Sequence, residues 1–191
     1  KWSLLFYCHK MLTRRVSILF FKEGIFLKTK KLTTAAMLVA SGIVGSYFIN
    51  FPIGAAKCTP VQHIINVFAA VLLGPDYAGL TAFSISLLRN ILGSGTLLAF
   101  PGSMIGALLA GILYKKTNRK LLAALGEVLG TGVIGAIAAF PIARFLLGKD
   151  VALFFFVIPF MINTVSGSII AYVLLKVTEF SKVFTKQSPG N

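Results

Sequence analysis

Residues 121–147 read LLAALGEVLGTGVIGAIAAFPIARFLL, an apolar run whose only charges are Glu127 and Arg144. About 20 apolar residues in a helix, rising 1.5 Å each, cross the ~30 Å hydrocarbon core of a bilayer. Polar segments bound the run: Lys115-Lys116-Thr117-Asn118-Arg119-Lys120 before it and Gly148-Lys149-Asp150 after it. Pro141 lacks an amide hydrogen and predicts a bend or interruption inside the span. Nearer the N-terminus, residues 32–48, LTTAAMLVASGIVGSYF, carry no charge at all.

The same pattern divides the remaining chain. Residues 51–60 contain two prolines and are expected to be a connecting loop. Val61 to Leu73 is a second span, ended by Gly74-Pro75. Asp76 is placed to N-cap a third, running to about Leu92. Gly93-Ser94-Gly95-Thr96 is a turn, and Pro101 opens a fourth helix ending at Tyr114. The fifth is 121–147, and the sixth runs from Val151 to Lys176 with a kink expected at Pro159. The expectation is an all-α integral membrane protein, a bundle of six transmembrane helices. Its second and fourth spans are short enough to lie partly inside the bundle.

Composition supports this class. The chain is 57% hydrophobic and 13% charged, whereas soluble domains are about 45–50% apolar and about 25% charged. Disorder needs low hydrophobicity and is excluded. The net charge of +14 would suggest nucleic acid in a soluble chain. Here it has another reading, because short cytoplasmic loops collect Lys and Arg. With both termini cytoplasmic, all but Lys57, Arg89, Arg144 and Lys149 of the 19 basic residues fall inside. The bases thus report orientation and an anionic lipid surface, and no nucleic-acid partner is expected. Three segments follow: residues 1–29, a basic amphipathic or non-native N-terminal extension; residues 30–178, the membrane domain; and residues 179–191, a cytoplasmic tail. Cys8 and Cys58 fall on opposite sides, so no disulfide is expected. No metal-ligand spacing, phosphate-binding glycine loop or paired carboxylates occur, and no cofactor is called for.

Polar groups in hydrocarbon are costly, and each asks for a partner, a cavity or a ligand. Gln62, His63 and Asn66 cluster near the outer end of the second span, with His63 and Asn66 on one face. Arg89 and Asn90 lie roughly 20 Å along a helix rising from the inner side. Asn163 lies about 16 Å into the sixth span from outside, near the midplane. Lys57 is in the first outer loop, and Ser94, Thr96 and Ser103 border the second. An outward-facing ligand pocket built from Lys57, Gln62, His63, Asn66, Arg89, Asn90, Thr96 and Asn163 is the expectation, with Phe100 and Phe140 as aromatic walls. Glu127 stands apart, about 9 Å deep on the inner side, to pair with a base, be protonated or reach the ligand. Two small-residue stripes, Ala36-x-x-x-Ala40 and Gly126-x-x-x-Gly130, permit close helix approach.

The order of these features resembles the substrate-binding S-components of energy-coupling factor (ECF) vitamin transporters. The resemblance rests on six short spans, a basic N-terminus running into Leu-Thr-x-Ala-Ala at 32–36, and the Ala36–Ala40 stripe. More particularly, Pro52-Ile53-Gly54-Ala55-Ala56-Lys57, Pro60-Val61-Gln62-His63-Ile64-Ile65-Asn66-Val67 and Leu88-Arg89-Asn90 look like the thiazole-type ThiW family. So do residues 95–103 and Gly126-Glu127-Val128-Leu129-Gly130-Thr131-Gly132. The resemblance implies a non-enzymatic subunit in a bacterial-type cell membrane. It would bind the thiamine precursor hydroxyethylthiazole from outside, then dock through Ala36 and Ala40 on a coupling subunit that carries two cytoplasmic ATPases. An S-component for another small vitamin or for the pyrimidine moiety is an open alternative. An intramembrane hydrolase using Ser166 or Ser168 with His63 would be a different class, but no orienting carboxylate is evident for it. A channel would want polar residues along the whole pore.

Overall fold

The computed structural model describes residues 28–53 and 56–187, with side chains described for 28–51 and 58–179. The reading of residues 1–29 therefore lies almost wholly outside the described residues.

Helix α1 spans Lys28–Phe48. The stretch expected to be a loop folds instead into an antiparallel hairpin, β1 (Phe51–Ile53) and β2 (Ala56–Cys58), with Phe51 opposite Cys58. Pairing satisfies backbone groups that an irregular segment beside a membrane would leave exposed. Helix α2 (Pro60–Leu73) follows at once, and α3 (Pro75–Ile91) begins after a single residue. That residue, Gly74, has φ +92°, a left-handed conformation that glycine adopts without strain. Pro60 and Pro75 each occupy the first position of their helix, where a missing amide hydrogen costs nothing. Asp76 consequently sits in the first turn of α3 and makes no side-chain cap.

Helix α4 (Ala99–Thr117) is longer at both ends than expected, and it closes on Asn118 in the left-handed region. Helix α5 runs unbroken through Lys120–Leu146. Its irregularities are two π-helical stretches, Gly130–Gly135 and Ile142–Leu146, the second beginning just after Pro141. Helix α6 (Val157–Gln187) starts later than expected, so Pro159 falls in its first turn, where it needs no partner and makes no kink. Among the described residues, three helices are long and apolar enough to cross a membrane: α1, α5, and α6 over Val157–Glu179. Large apolar side chains on their surfaces, among them Met37, Val44, Ile134, Ile158 and Ile169, are exposed, as lipid-facing residues are. The described residues form an all-helical, membrane-embedded fold apart from the short hairpin.

Where α2, α3 and α4 meet, the interior is made largely of small residues. Ala69, Ala70, Ala78, Ala82, Ala107 and Ala110 are fully buried where α2, α3 and α4 meet. Apolar association gains little in lipid, so close backbone packing must hold such helices together. Helices α4 and α5 show it most clearly. A Cβ on Gly126 would stand 3.0 Å from the Ala110 backbone, one on Gly130 would stand 2.6 Å from Gly106 Cα, and one on Gly135 would collide with Gly102 Cα. Steps of four residues on α4 (102, 106, 110) thus face steps of five and four on α5 (135, 130, 126). The π-helical stretch absorbs the extra residue and keeps the glycines opposed.

Candidate functional site

The N-terminal ends of α2, α4 and α6 and the C-terminal ends of α3 and α5 converge at one end of the bundle around a cavity of about 90 Å³. Gln62 and His63 line it from α2, with Thr59 just before them. Arg89 lines it from α3, and Thr96, Leu98, Ala99 and Ser103 from the turn and start of α4. The remaining wall is Thr131, Leu147 and Lys149 from α5 and its following loop, with Phe160 and Asn163 from α6. The basic loop 115–120 lies at the opposite end of α4 and α5.

Beneath this cavity runs a continuous buried network. Arg89 donates from Nη1 to Thr59 Oγ1 at 2.9 Å and to Gln62 Oε1, and from Nη2 to Ser94 O at 3.2 Å. Gln62 Nε2 donates to Ser86 Oγ, which lies 2.9 Å from Ser103 Oγ. Asn66 Nδ2 donates to Ser103 O at 3.3 Å and to Glu127 Oε1 at 2.9 Å. Glu127 Oε1 also lies 2.8 Å from His63 Nδ1 and accepts from Thr131 Oγ1 at 3.1 Å. Four helices are thereby tied together by side chains that would be costly to bury singly. Arg89 sits two residues from the end of α3, and the turn after it folds back so that Ser94 N and Gly95 N both donate to Arg89 O. Gly95 is obligatory there, because a Cβ would stand 2.9 Å from the Asn90 backbone nitrogen.

Of the residues expected in the pocket, Gln62, His63, Arg89, Thr96 and Asn163 line the cavity. Asn66 and Glu127 are fully buried behind it. Asn90 is half-buried and serves the turn, donating to Ser86 O and Thr96 O. The strand carrying Lys57 is in place, while its side chain lies outside the described residues. The expected aromatic walls are corrected: Phe100 packs edge-on against Phe83, Phe140 lies under Arg144, and the aromatic at the cavity is Phe160.

Two of the expected residues meet partners from other elements. Glu127 is not a separate inner-side group, because it joins His63 and Asn66. Asn163 is level with the start of α2, its Oδ1 accepting from Thr59 N at 2.9 Å. Both follow from one fact. Helix α2 has only 14 residues, about 21 Å, and its first turn lies inside the bundle, seven residues into α6 and facing the lower half of α5.

Residues that sequence reasoning passed over are Thr59, Thr131, Lys149 and Phe160. A threonine or phenylalanine in a membrane helix is unremarkable, and Lys149 is in a loop where a base is ordinary. The glycines around Thr131 were the available signal, since they mark where α4 and α5 touch. Ser166 donates to Asn163 O, and neither it nor Ser168 hydrogen-bonds His63, whose Nδ1 is held by Glu127. On α1, Ala36 and Ala40 are exposed, while Ala35, Gly42 and Ser46 are buried. Cys58 is a free, buried cysteine just before α2, and burial pushes its thiol up from the ordinary range.

Fold and site together define a helical membrane protein built around a small-molecule cavity at one end of its bundle. The chain belongs to the ThiW family: a family model described as thiamine-precursor transporter protein (ThiW) matches residues 32–180. Among solved structures it is similar to the S component of a bacterial ECF transporter, with a TM-score of 0.63 at 18% identity, covering 84% of this chain and 99% of the other. At that identity the likeness is one of fold. A comparison with curated proteins found no match.

Proposed function

We propose that this chain is the substrate-specific membrane subunit of an ECF-type importer, binding the thiamine precursor hydroxyethylthiazole from outside. In this reading its termini are cytoplasmic and all six helices span or enter the bilayer. The observation that carries it is the cavity itself, seated over the buried Arg89–Gln62–Ser86–Ser103–Asn66–Glu127 network. A cavity of about 90 Å³ restricts the ligand to a small molecule. Its polar wall of hydroxyl, amide, imidazole and guanidinium groups, with Phe160 beside them, suits a neutral heteroaromatic alcohol. Arg89 and Lys149 at the wall disfavour a cation, which argues against intact thiamine with its charged thiazolium. The exposed Ala36 and Ala40 leave α1 a smooth face for the coupling subunit, through which two ATPase subunits would supply the energy.

Calorimetric titration of the purified protein with hydroxyethylthiazole, the pyrimidine precursor and thiamine tests the reading. The thiazole is expected to bind at micromolar concentration or below, and the other two far more weakly. Thiazole affinity no better than millimolar refutes the ligand assignment. Preferential binding of the pyrimidine moves the protein to another vitamin precursor.

A further inference from the structure

Glu127 is the only fully buried carboxylate among the described residues, and it does not line the cavity. The direction of its hydrogen bonds follows from obligate acceptors next to it. Asn66 Nδ2 lies 3.3 Å from the carbonyl Ser103 O, which only accepts, so the same nitrogen also donates to Glu127 Oε1 at 2.9 Å. Thr131 Oγ1 stands between the carbonyl Gly102 O at 3.0 Å and Glu127 Oε1 at 3.1 Å, so its single proton also has an acceptor on either side. Glu127 Oε1 is thus an acceptor toward both of these neighbours. Its 2.8 Å bond to His63 then requires the proton on Nδ1. That edge of the ring is committed to Glu127, which leaves the Nε2 edge for the cavity that His63 lines.

We infer that Glu127 is a positioning residue that holds His63 in its Nδ1–H form, so that Nε2 presents a lone pair to a hydroxyl-bearing ligand. The inference rests on reading the cavity as the substrate site, and it narrows the ligand class to neutral molecules with a hydrogen-bond donor at that point. An alcohol satisfies Nε2. An analogue lacking the hydroxyl leaves it unpaired, and sites built around such a bond reject those analogues. Glu127 acts through His63 and touches no ligand itself.

The full chain carrying His9→Gln and labelled with nitrogen-15 histidine contains one imidazole, whose tautomer is read by NMR. The expected pattern is a protonated Nδ1 and an unprotonated Nε2. Glu127→Leu, which removes the acceptor at similar volume, should move the ring toward the Nε2–H form. Glu127→Gln, whose carbonyl still accepts, should retain Nδ1–H. In parallel, the wild type should bind hydroxyethylthiazole about tenfold more tightly than its ethyl analogue without the hydroxyl, the worth of one hydrogen bond. That ratio should fall toward unity in Glu127→Leu and persist in Glu127→Gln. An Nε2–H or doubly protonated His63 in the wild type overturns the inference, as does an unchanged ratio in Glu127→Leu. If Glu127→Leu does not fold, the wild-type tautomer and the Glu127→Gln ratio decide. A correct tautomer without any thiazole binding overturns the substrate reading and leaves the positioning role standing.

Discussion

His63 on α2 and Glu127 on α5, 64 positions apart in the chain, meet at 2.8 Å in a fully buried contact under the cavity. The contact links a residue of the cavity wall to a carboxylate with no exposure of its own. Asn66 completes the arrangement from one turn further along α2. The expected consequences are these.

Asn66→Ala removes the donor to Glu127 and to Ser103 O while leaving His63 and Glu127 in place. A buried acceptor left unmatched costs about 1–3 kcal/mol. A lower melting temperature in detergent and weaker thiazole binding are both expected. Asn50, exposed and bonded only to Ser46 O and Tyr47 O of its own helix region, is the control. Asn50→Ala should stay within about 0.5 kcal/mol of wild type.

Arg89→Lys keeps a positive charge but exchanges a planar fork for a point charge. A single ammonium cannot reach Thr59 Oγ1, Gln62 Oε1 and Ser94 O together. Ligand affinity is expected to fall about tenfold or more, the equivalent of one or two hydrogen bonds. Calorimetry giving wild-type affinity would show that the three-point contact is dispensable.

Gly106→Ala places a Cβ 2.7 Å from Glu127 Oε2 and into Thr131. Overpacking of this kind costs about 1–3 kcal/mol, more where backbone must move. The helices α4 and α5 should separate, with stability and binding lost together. Gly93→Ala, where no atom lies within 4 Å of the added Cβ, tests a different cost, that of the residue's φ of +73°. It should affect the turn and leave helix packing unchanged.

Ala36→Trp and Ala40→Trp add bulk to the exposed face of α1, away from the buried Ala35 and Gly42. Ligand binding is expected to be retained while co-purification with the coupling subunit is lost. Complex formation that survives both changes places the docking face elsewhere.

Cys58 should be alkylated slowly in the folded protein. Its thiol is buried and its ionisation is pushed up by that burial, so the reactive thiolate is scarce near neutral pH. Because the folded state favours the neutral thiol, this small contribution to stability is present at neutral pH and is lost as pH rises through the folded value. Maleimide labelling in a Cys8→Ser background should accelerate sharply on denaturation. Equal rates in both states would mean the thiol is open.

The apolar runs and their basic borders were readable because hydrocarbon penalises every unpaired polar group, which makes span residues conspicuous. The same penalty singled out Gln62, His63, Arg89 and Asn163, the polar side chains now found on the cavity wall. It said nothing useful about Thr131 or Phe160, which are ordinary in membrane helices. Pro159 illustrates the limit for local structure: its effect depended on whether α6 had already begun, and the helix starts only two residues before it.

The sequence by itself determined that this is a helical membrane protein and which of its side chains are too polar to face lipid. These are properties of composition and order, and the bilayer enforces them on any fold. Only the tertiary structure decided which polar groups share a level. Depth cannot be counted along a helix until its starting height is known, and α2 starts well inside the bundle. That offset, with Gly167 of α6 packed close against Pro60 and His63, brings Glu127 to His63. It turns an apparently isolated carboxylate into the support of the cavity wall.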